Sequence, residues 1–185
     1  AELKKLQDHG VDTIVLDHHV VSEGRPPAYA LINPKFDNDT YPFRELAACG
    51  VVFKVVQALR EHFAKETNPP IKEGFEKWAL DLVALATIAD MMPLLGENRI
   101  LAKWGLVVLN KTRRVGLRAL IETSRITKKI TAYEVGFILA PRINAAGRID
   151  HANIAYDLLR QTSHAEALRE ADNLSKTNEE RQRLT

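Results

Sequence analysis

Asp17, His18 and His19 stand side by side at the carboxyl end of Thr13-Ile14-Val15-Leu16, a short apolar run rich in β-branched residues that reads as a buried strand. In open α/β sheets ligands bind at that end of the strands. Two imidazoles and a carboxylate gathered there can offer nitrogen and oxygen ligands to a hard or borderline divalent cation. The competing reading makes both histidines loop residues hydrogen-bonded to backbone. Asp90 is the second candidate. It closes a nearly all-apolar run, and burying a lone carboxylate is costly, so it must be solvated, paired or bound to a metal; alternatively it caps the turn that follows. The third is Pro141-Arg142-Ile143-Asn144-Ala145-Ala146-Gly147-Arg148. Its small residues, Gly147 among them, let a phosphate or sugar approach the backbone, while Arg142 and Arg148 offer forked donors and Asn144 an amide. The same composition suits a tight helix–helix crossing with two surface arginines.

The elements that must position these groups change character along the chain. Glu2 to His9 reads as a helix closed by Gly10, followed by the Asp17 strand and, after the turn Gly24-Arg25-Pro26-Pro27, by a second strand, Tyr29-Ala30-Leu31-Ile32, stopped at Asn33-Pro34. The two strands are expected to lie parallel. Beyond the polar loop 37–42 the periodicity is helical: Leu46 to Phe63, then Phe75 to Ala89, Glu97 to Leu109 and Leu117 to Thr123. Thr131 with Glu134, and Ser163 with Glu166, match the capping box. The first opens a helix through Leu139, expected to be interrupted by Pro141. The second opens a highly charged helix from Ala165 onward, which reads as a connector without a core of its own to cover.

Composition narrows the class. The 185 residues include 26 Lys and Arg against 24 Asp and Glu, a net charge of +2, so any claim on nucleic acid must rest on local patches. The single cysteine, Cys49, has no partner within the chain, which fits a reducing, cytoplasmic compartment with Cys49 as a small core residue. No signal peptide is evident and no apolar run is long enough to cross a bilayer, so no membrane is expected. The sequence lacks an initiating Met and opens inside a helix, which suggests a piece of a longer protein.

Taken together, the three stretches resemble the RecJ branch of the DHH phosphoesterase superfamily, the single-strand-specific exonucleases. Asp17-His18-His19 resembles the motif that names the superfamily, and Ala89-Asp90-Met91-Met92-Pro93-Leu94 with Gly96-Glu97-Asn98-Arg99 resembles its downstream aspartate motif. Arg142 to Arg148, Asn33-Pro34-Lys35, Tyr41-Pro42-Phe43 and Asn178-Glu179-Glu180-Arg181-Gln182 are similar to segments of that branch. The resemblance implies an α/β fold: the later strands of a DHH-type parallel sheet, then a largely helical region and a long connector helix. It divides the chain into the C-terminal part of a catalytic domain (1–160) and the start of a connector (161–185) toward a nucleic-acid-binding domain.

It also implies roles. His18 and Asp90 would be ligands of a two-metal centre holding Mn2+ or Mg2+, His19 would contact the scissile phosphate, and Asp17 would orient the histidines. Arg142, Asn144, Gly147 and Arg148 would grip the nucleic-acid backbone. Such a centre suits 5′-to-3′ hydrolysis of single-stranded DNA in recombination and repair, with a single-strand-binding protein as a further partner. Two cations about 4 Å apart neutralise phosphoryl oxygens and generate hydroxide. Because ligation needs neutral imidazole, activity is expected to fall as pH drops through the histidine range.

The family's upstream aspartate motifs have no counterpart ahead of Thr13, so this stretch alone is expected to be inactive while the parent protein is an enzyme. Two alternatives share parts of the pattern. A small-substrate phosphoesterase of the oligoribonuclease, cyclic-dinucleotide phosphodiesterase or pyrophosphatase type would share Asp17-His18-His19 and Asp90 but not the Arg142 to Arg148 segment. A non-catalytic replication scaffold would be expected to lose the ligands.

Overall fold

The β-branched run before Asp17 forms a strand, but not the buried one its composition predicts: Ile14 is 65% exposed and Val15 and Leu16 are only partly buried, because the sheet has just two strands among the described residues. In the computed structural model, which describes residues 2–21, 24–66, 68–149 and 153–183, strand β1 (Ile14–Leu16) pairs in parallel with β2 (Ala30–Ile32), Val15 opposite Leu31. Helix α1 (Glu2–Asp8) leads into β1 through Gly10, whose φ of 72° suits a residue without a Cβ. Tyr29, expected inside the second strand, stands just before it and donates its N–H to the Thr13 carbonyl at 2.9 Å.

Three helices follow the sheet: α2 (Ala48–His62), α3 (Phe75–Ala89) and α4 (Gly96–Leu109). The all-round apolar character of α3 has a direct explanation, because the helix is a wall shared by two cores. Val83 faces Leu46, Val51, Phe53 and Leu101, against which Leu16 of β1 and Phe43 also pack. Leu85 faces the larger cluster built on Leu109, Leu117, Leu120 and Leu139. α3 and α4 approach so closely that a methyl group at Gly105 would collide with the Leu80 backbone and with Ala84. Asp81 is buried on this wall, where it accepts hydrogen bonds from the Thr112 hydroxyl at 2.7 Å and from Arg114 Nε at 3.2 Å. Cys49 is half-buried on α2, and burial pushes its thiol up, so it remains a neutral packing group.

The second half differs from its sequence reading in several respects. α5 (Val115–Thr123) is as expected, and the Thr131–Glu134 capping box forms in full at the start of α6 (Ala132–Glu134). Pro141, however, does not interrupt the helix. α6 runs through a π-helical turn, Val135–Leu139, into α7 (Ala140–Ile149). That wide turn already departs from the i→i−4 ladder, and Pro141, directly behind it, is accommodated at the start of the new α segment. The stretch from Arg142 to Arg148 is therefore helix, not a small-residue turn. A short helix that the sequence reading passed over, α8 (Asn153–Arg160), buries Ala155 and Leu158 at helical spacing.

The last correction concerns α9 (His164–Arg183). The Ser163 hydroxyl accepts from the Glu166 N–H at 3.4 Å, and among the described residues only this half of the second capping box forms. Although polar in composition, the helix does cover a core. Ala167, Ala171 and Leu174 are buried in the cluster of Leu117 and Leu120, so three small or aliphatic residues on one face suffice where the neighbours, α5 and α7, supply the bulk.

Candidate metal centre

β1 ends in a polar fork. Asp17 Oδ1 accepts the backbone N–H of His18 at 2.8 Å, that of His19 at 3.3 Å and the His19 ring Nδ1–H at 2.7 Å. Burial is the largest influence on Asp17 and raises its pKa, but the hydrogen bonds from the His19 ring and the two backbone groups outweigh it, and the carboxyl ends below its ordinary value. An ionised Asp17 makes Nδ1 the protonated nitrogen of neutral His19 and leaves Nε2 with its lone pair. The loop is closed from below by Asn33, a buried residue whose amide donates to the His19 carbonyl at 2.9 Å while its oxygen accepts from the Lys35 N–H at 2.9 Å.

Asp90 is held from the opposite side. It caps α3 in a closing motif in which Met91 N–H reaches the Ile88 carbonyl at 3.1 Å and Met92 N–H the Thr87 carbonyl at 3.0 Å. The position after such a cap usually carries glycine, yet Met91 adopts the left-handed conformation at φ 52°. The chain then runs to α4, where buried Asn98 donates to the Pro93 carbonyl at 3.1 Å and to that of Glu45, tying the segment behind Asp90 to the loop before α2. Glu97 accepts from the Tyr41 hydroxyl at 2.8 Å and pairs with Lys54 at 3.1 Å, and Gly96 at φ 47° leaves room for the Phe43 ring.

The two sides meet. His18 Nε2 lies 3.4 Å from Asp90 Oδ2, with the imidazole 13% accessible and the carboxylate 49% accessible. Two ligands bound at about 2.1 Å to one cation sit about 3 Å or slightly more apart, so the pair has the spacing of adjacent ligands. His18 Nδ1 is buried without a hydrogen-bond partner, which leaves the ring's polar capacity unsatisfied by the protein. The Asp90 carboxylate suits manganese or magnesium and the imidazole adds a nitrogen donor open to a borderline divalent cation, so the pair fits such an ion as part of its shell. Among the described residues no group of three or more His, Cys, Asp or Glu side chains comes together to complete it.

Residues 1–87 match the sequence profile described as the DHH family, N-terminal domain. Across nearly its whole length, including the helical region beyond the DHH match, the chain is similar to RecJ proteins. It is 40% identical over 184 residues to the single-stranded-DNA-specific exonuclease RecJ of Bacillus subtilis, covering 99% of this chain and 22% of that protein. A crystal structure of exonuclease RecJ bound to manganese superposes with a TM-score of 0.82 at 38% identity, covering 99% of this chain and 44% of the other. RecJ of Thermus thermophilus in complex with Mn2+ gives a TM-score of 0.80 at 37% identity over 99% of this chain and 26% of the other. The chain thus spans less than half of each of these relatives, and its α/β architecture is the DHH-type fold of those structures.

Not every expected site residue joins this centre. Asp17 holds the His19 ring but reaches only the backbone of His18. Arg142 is half-buried between α7 and α9, where Nη1 donates to the Ile138 carbonyl at 2.7 Å and Nε to Ser175 Oγ at 3.3 Å. Burial lowers its pKa and Glu179 counteracts this, so the guanidinium is a strut between two helices. Asn144 and Gly147 are exposed on α7, and the side chain of Arg148 lies outside the described residues. The sequence reading missed Asn33 and Asn98 as positioning residues. Both are amides within motif segments at buried positions, where an amide is retained only if its hydrogen bonds are met.

Proposed function

We propose that this chain is part of a metal-dependent exonuclease that hydrolyses single-stranded DNA from the 5′ end, acting in the cytoplasm in recombination and repair. The observation that carries the reading is the convergence of His18 Nε2 and Asp90 Oδ2 at 3.4 Å from separate regions of the fold. In this reading His18 and Asp90 would hold Mn2+ or Mg2+, and the ion would supply positive charge for the phosphoryl oxygens and Lewis acidity for hydrolysis. His19, fixed by Asp17 in the tautomer with a free Nε2, stands beside the phosphate; Asp17 acts through it. Asn144, Gly147 and Arg148 line one helix as contacts to the sugar-phosphate backbone, with Arg142 bracing that helix from behind. Similarity to RecJ beyond residue 87 favours this over the small-substrate members of the superfamily. Residues 161–185 carry α9 toward a nucleic-acid-binding domain, and a single-strand-binding protein is a further partner in this reading. Among the described residues no helix is long and apolar enough to cross a membrane.

The test uses the full-length protein with 5′- and 3′-labelled single strands and the matching duplex. Manganese-dependent release of nucleotides from the 5′ end of the single strand, lost in Asp90→Asn, is the expected result; hydrolysis that persists in Asp90→Asn removes the centre from the mechanism. For the backbone contacts, Arg148→Ala should flatten the salt dependence of binding by about one phosphate contact for any strand sequence. The stretch 1–185 by itself should bind manganese weakly, because His18 and Asp90 supply two ligands where a stable site has more.

A further inference from the structure

Tyr133 and Phe137 are the most conspicuous aromatic pair on the surface, 59% and 70% exposed on successive turns, with ring centroids 4.8 Å apart and planes 30° from parallel. Phe137 sits within the π-helical turn Val135–Leu139, an element that is rare in proteins and frequent at functional sites. It also forms one wall of an open cavity of about 370 Å³, together with Gly136 and Asn144. The opposite wall is Ile88, Ala89 and Met91, the residues that flank Asp90 in the chain. That volume lies within the range of small-ligand sites. Met91 is 89% exposed and held at φ 52°, where an unbranched aliphatic side chain is strained. A large apolar side chain fixed in water by a strained backbone gains nothing in stability, and such departures collect at functional sites.

We propose that Phe137 and Tyr133 are a base-stacking platform for the single strand whose backbone passes Asp90, with Met91 and Asn144 bordering the groove it occupies. The inference rests on the single-strand reading above and adds the groups that contact bases. Every base has a π-face, so stacking on aromatic rings is tolerant of sequence. In a duplex those faces are covered by neighbouring base pairs. The groove therefore selects an unpaired strand without reading its bases, and its continuity with the Asp90 turn sets the platform next to the bond to be cut.

The experiment measures equilibrium binding of the full-length protein, in EDTA to prevent hydrolysis, to 3′-labelled oligothymidylate and to a strand of equal length made of abasic sugars. The wild type should prefer the strand with bases. Phe137→Ala and Tyr133→Ala should each weaken oligothymidylate binding about tenfold while leaving the abasic strand unaffected. Phe137→Trp should retain affinity, and its fluorescence should be quenched on binding, which keeps the test valid if an alanine variant folds poorly. Unchanged affinity in both alanine variants, or equal losses on both strands, overturns the platform. Conversion of a dimer to a monomer by Phe137→Ala with strand affinity unchanged also overturns it, assigning the pair to self-association. Manganese-dependent hydrolysis of the abasic strand, which offers no π-face to the platform, should be absent in Asp90→Asn. Its persistence in Asp90→Asn defeats the metal-centre reading whatever the aromatic variants do, and a wild type that binds no single strand defeats both.

Discussion

His18 follows a three-residue strand, whereas Asp90 closes a fifteen-residue helix buried on two sides. The strand side is thin. Ile14 is 65% exposed, and the loop after β1 is held by directional polar bonds, the Asp17 fork and the Asn33 bridge. The helix side is thick, with Val83 and Leu85 in separate apolar clusters. Polar bonds fix orientation and contribute little net stability each, about 1 kcal/mol, whereas buried leucines contribute several. The centre thus joins an arm that specifies geometry to a wall that supplies rigidity, and substitutions on the two sides should fail in different ways.

The largest effect expected is on turnover alone. In the full-length protein His18→Ala or Asp90→Ala should reduce strand hydrolysis by about a thousandfold or more, since charge stabilisation by a metal centre is worth several kcal/mol. Thermal midpoints should move by no more than a few degrees, because neither side chain fills a core. A large drop in midpoint in either variant would place these residues with the structural wall.

Next comes the opposite signature. Leu120, fully buried in the helical cluster, should cost about 2–5 kcal/mol when changed to Ala, while Ile14→Ala on the exposed face of β1 should cost under about 1 kcal/mol. Denaturant unfolding of both variants decides the matter; equal costs would mean the sheet is as deeply supported as the helices.

Asp17→Asn tests the arm itself. Asn cannot anchor the His19 Nδ1–H with a charge, so activity should fall about 10- to 100-fold with little change in stability. Because the Asp17 carboxyl is held below its ordinary value, its contribution is present at neutral pH and is lost as pH falls through the lowered value. The wild type should therefore shed this contribution in acid and the Asn variant should not. Glu134, whose partners are Thr131 and Lys128, offers a control that bonds to neither His18 nor Asp90. The Thr131 hydroxyl and N–H, aided by Lys128, hold its carboxyl at about 2, so the capping box supports the fold fully above the ordinary glutamate range and loses that support between it and about pH 2. Glu134→Gln should flatten the acid limb of a stability profile in that window while leaving metal-dependent hydrolysis intact at neutral pH.

What was legible in the sequence follows the same division. Long apolar periods gave α3 to within its observed ends, and the Thr131–Glu134 box marked a helix start, since both depend on local chemistry. The pairing of His18 with Asp90 was expected from motif resemblance, not from periodicity, because a contact between distant segments leaves no periodic trace. Pro141 misled because a proline ordinarily ends a helix, and the π turn that accommodates it has no sequence marker. The polar composition of α9 hid its core face, which is made of two alanines and Leu174, whose burial is decided by α5 and α7. Asn33 and Asn98 look like surface amides until the carbonyls they bridge are placed in space.

The smallest expected effect lies where the arm and the wall touch. Met91 holds a left-handed conformation that costs an L-residue with a Cβ about 1–2 kcal/mol, and its side chain is 89% exposed, so little burial offsets that strain. Glycine at this position relieves the strain but adds freedom to the unfolded chain worth about 0.4–1 kcal/mol. The balance favours Met91→Gly by about 0.5 kcal/mol, a rise of a few degrees or less in thermal midpoint. The same substitution removes the apolar border of the groove beside Asp90, so single-strand affinity should fall slightly as stability rises. A variant less stable than the wild type would show that the Met91 side chain packs against the wall after all, and one that gained stability with no loss of affinity would leave its strain without a functional counterpart.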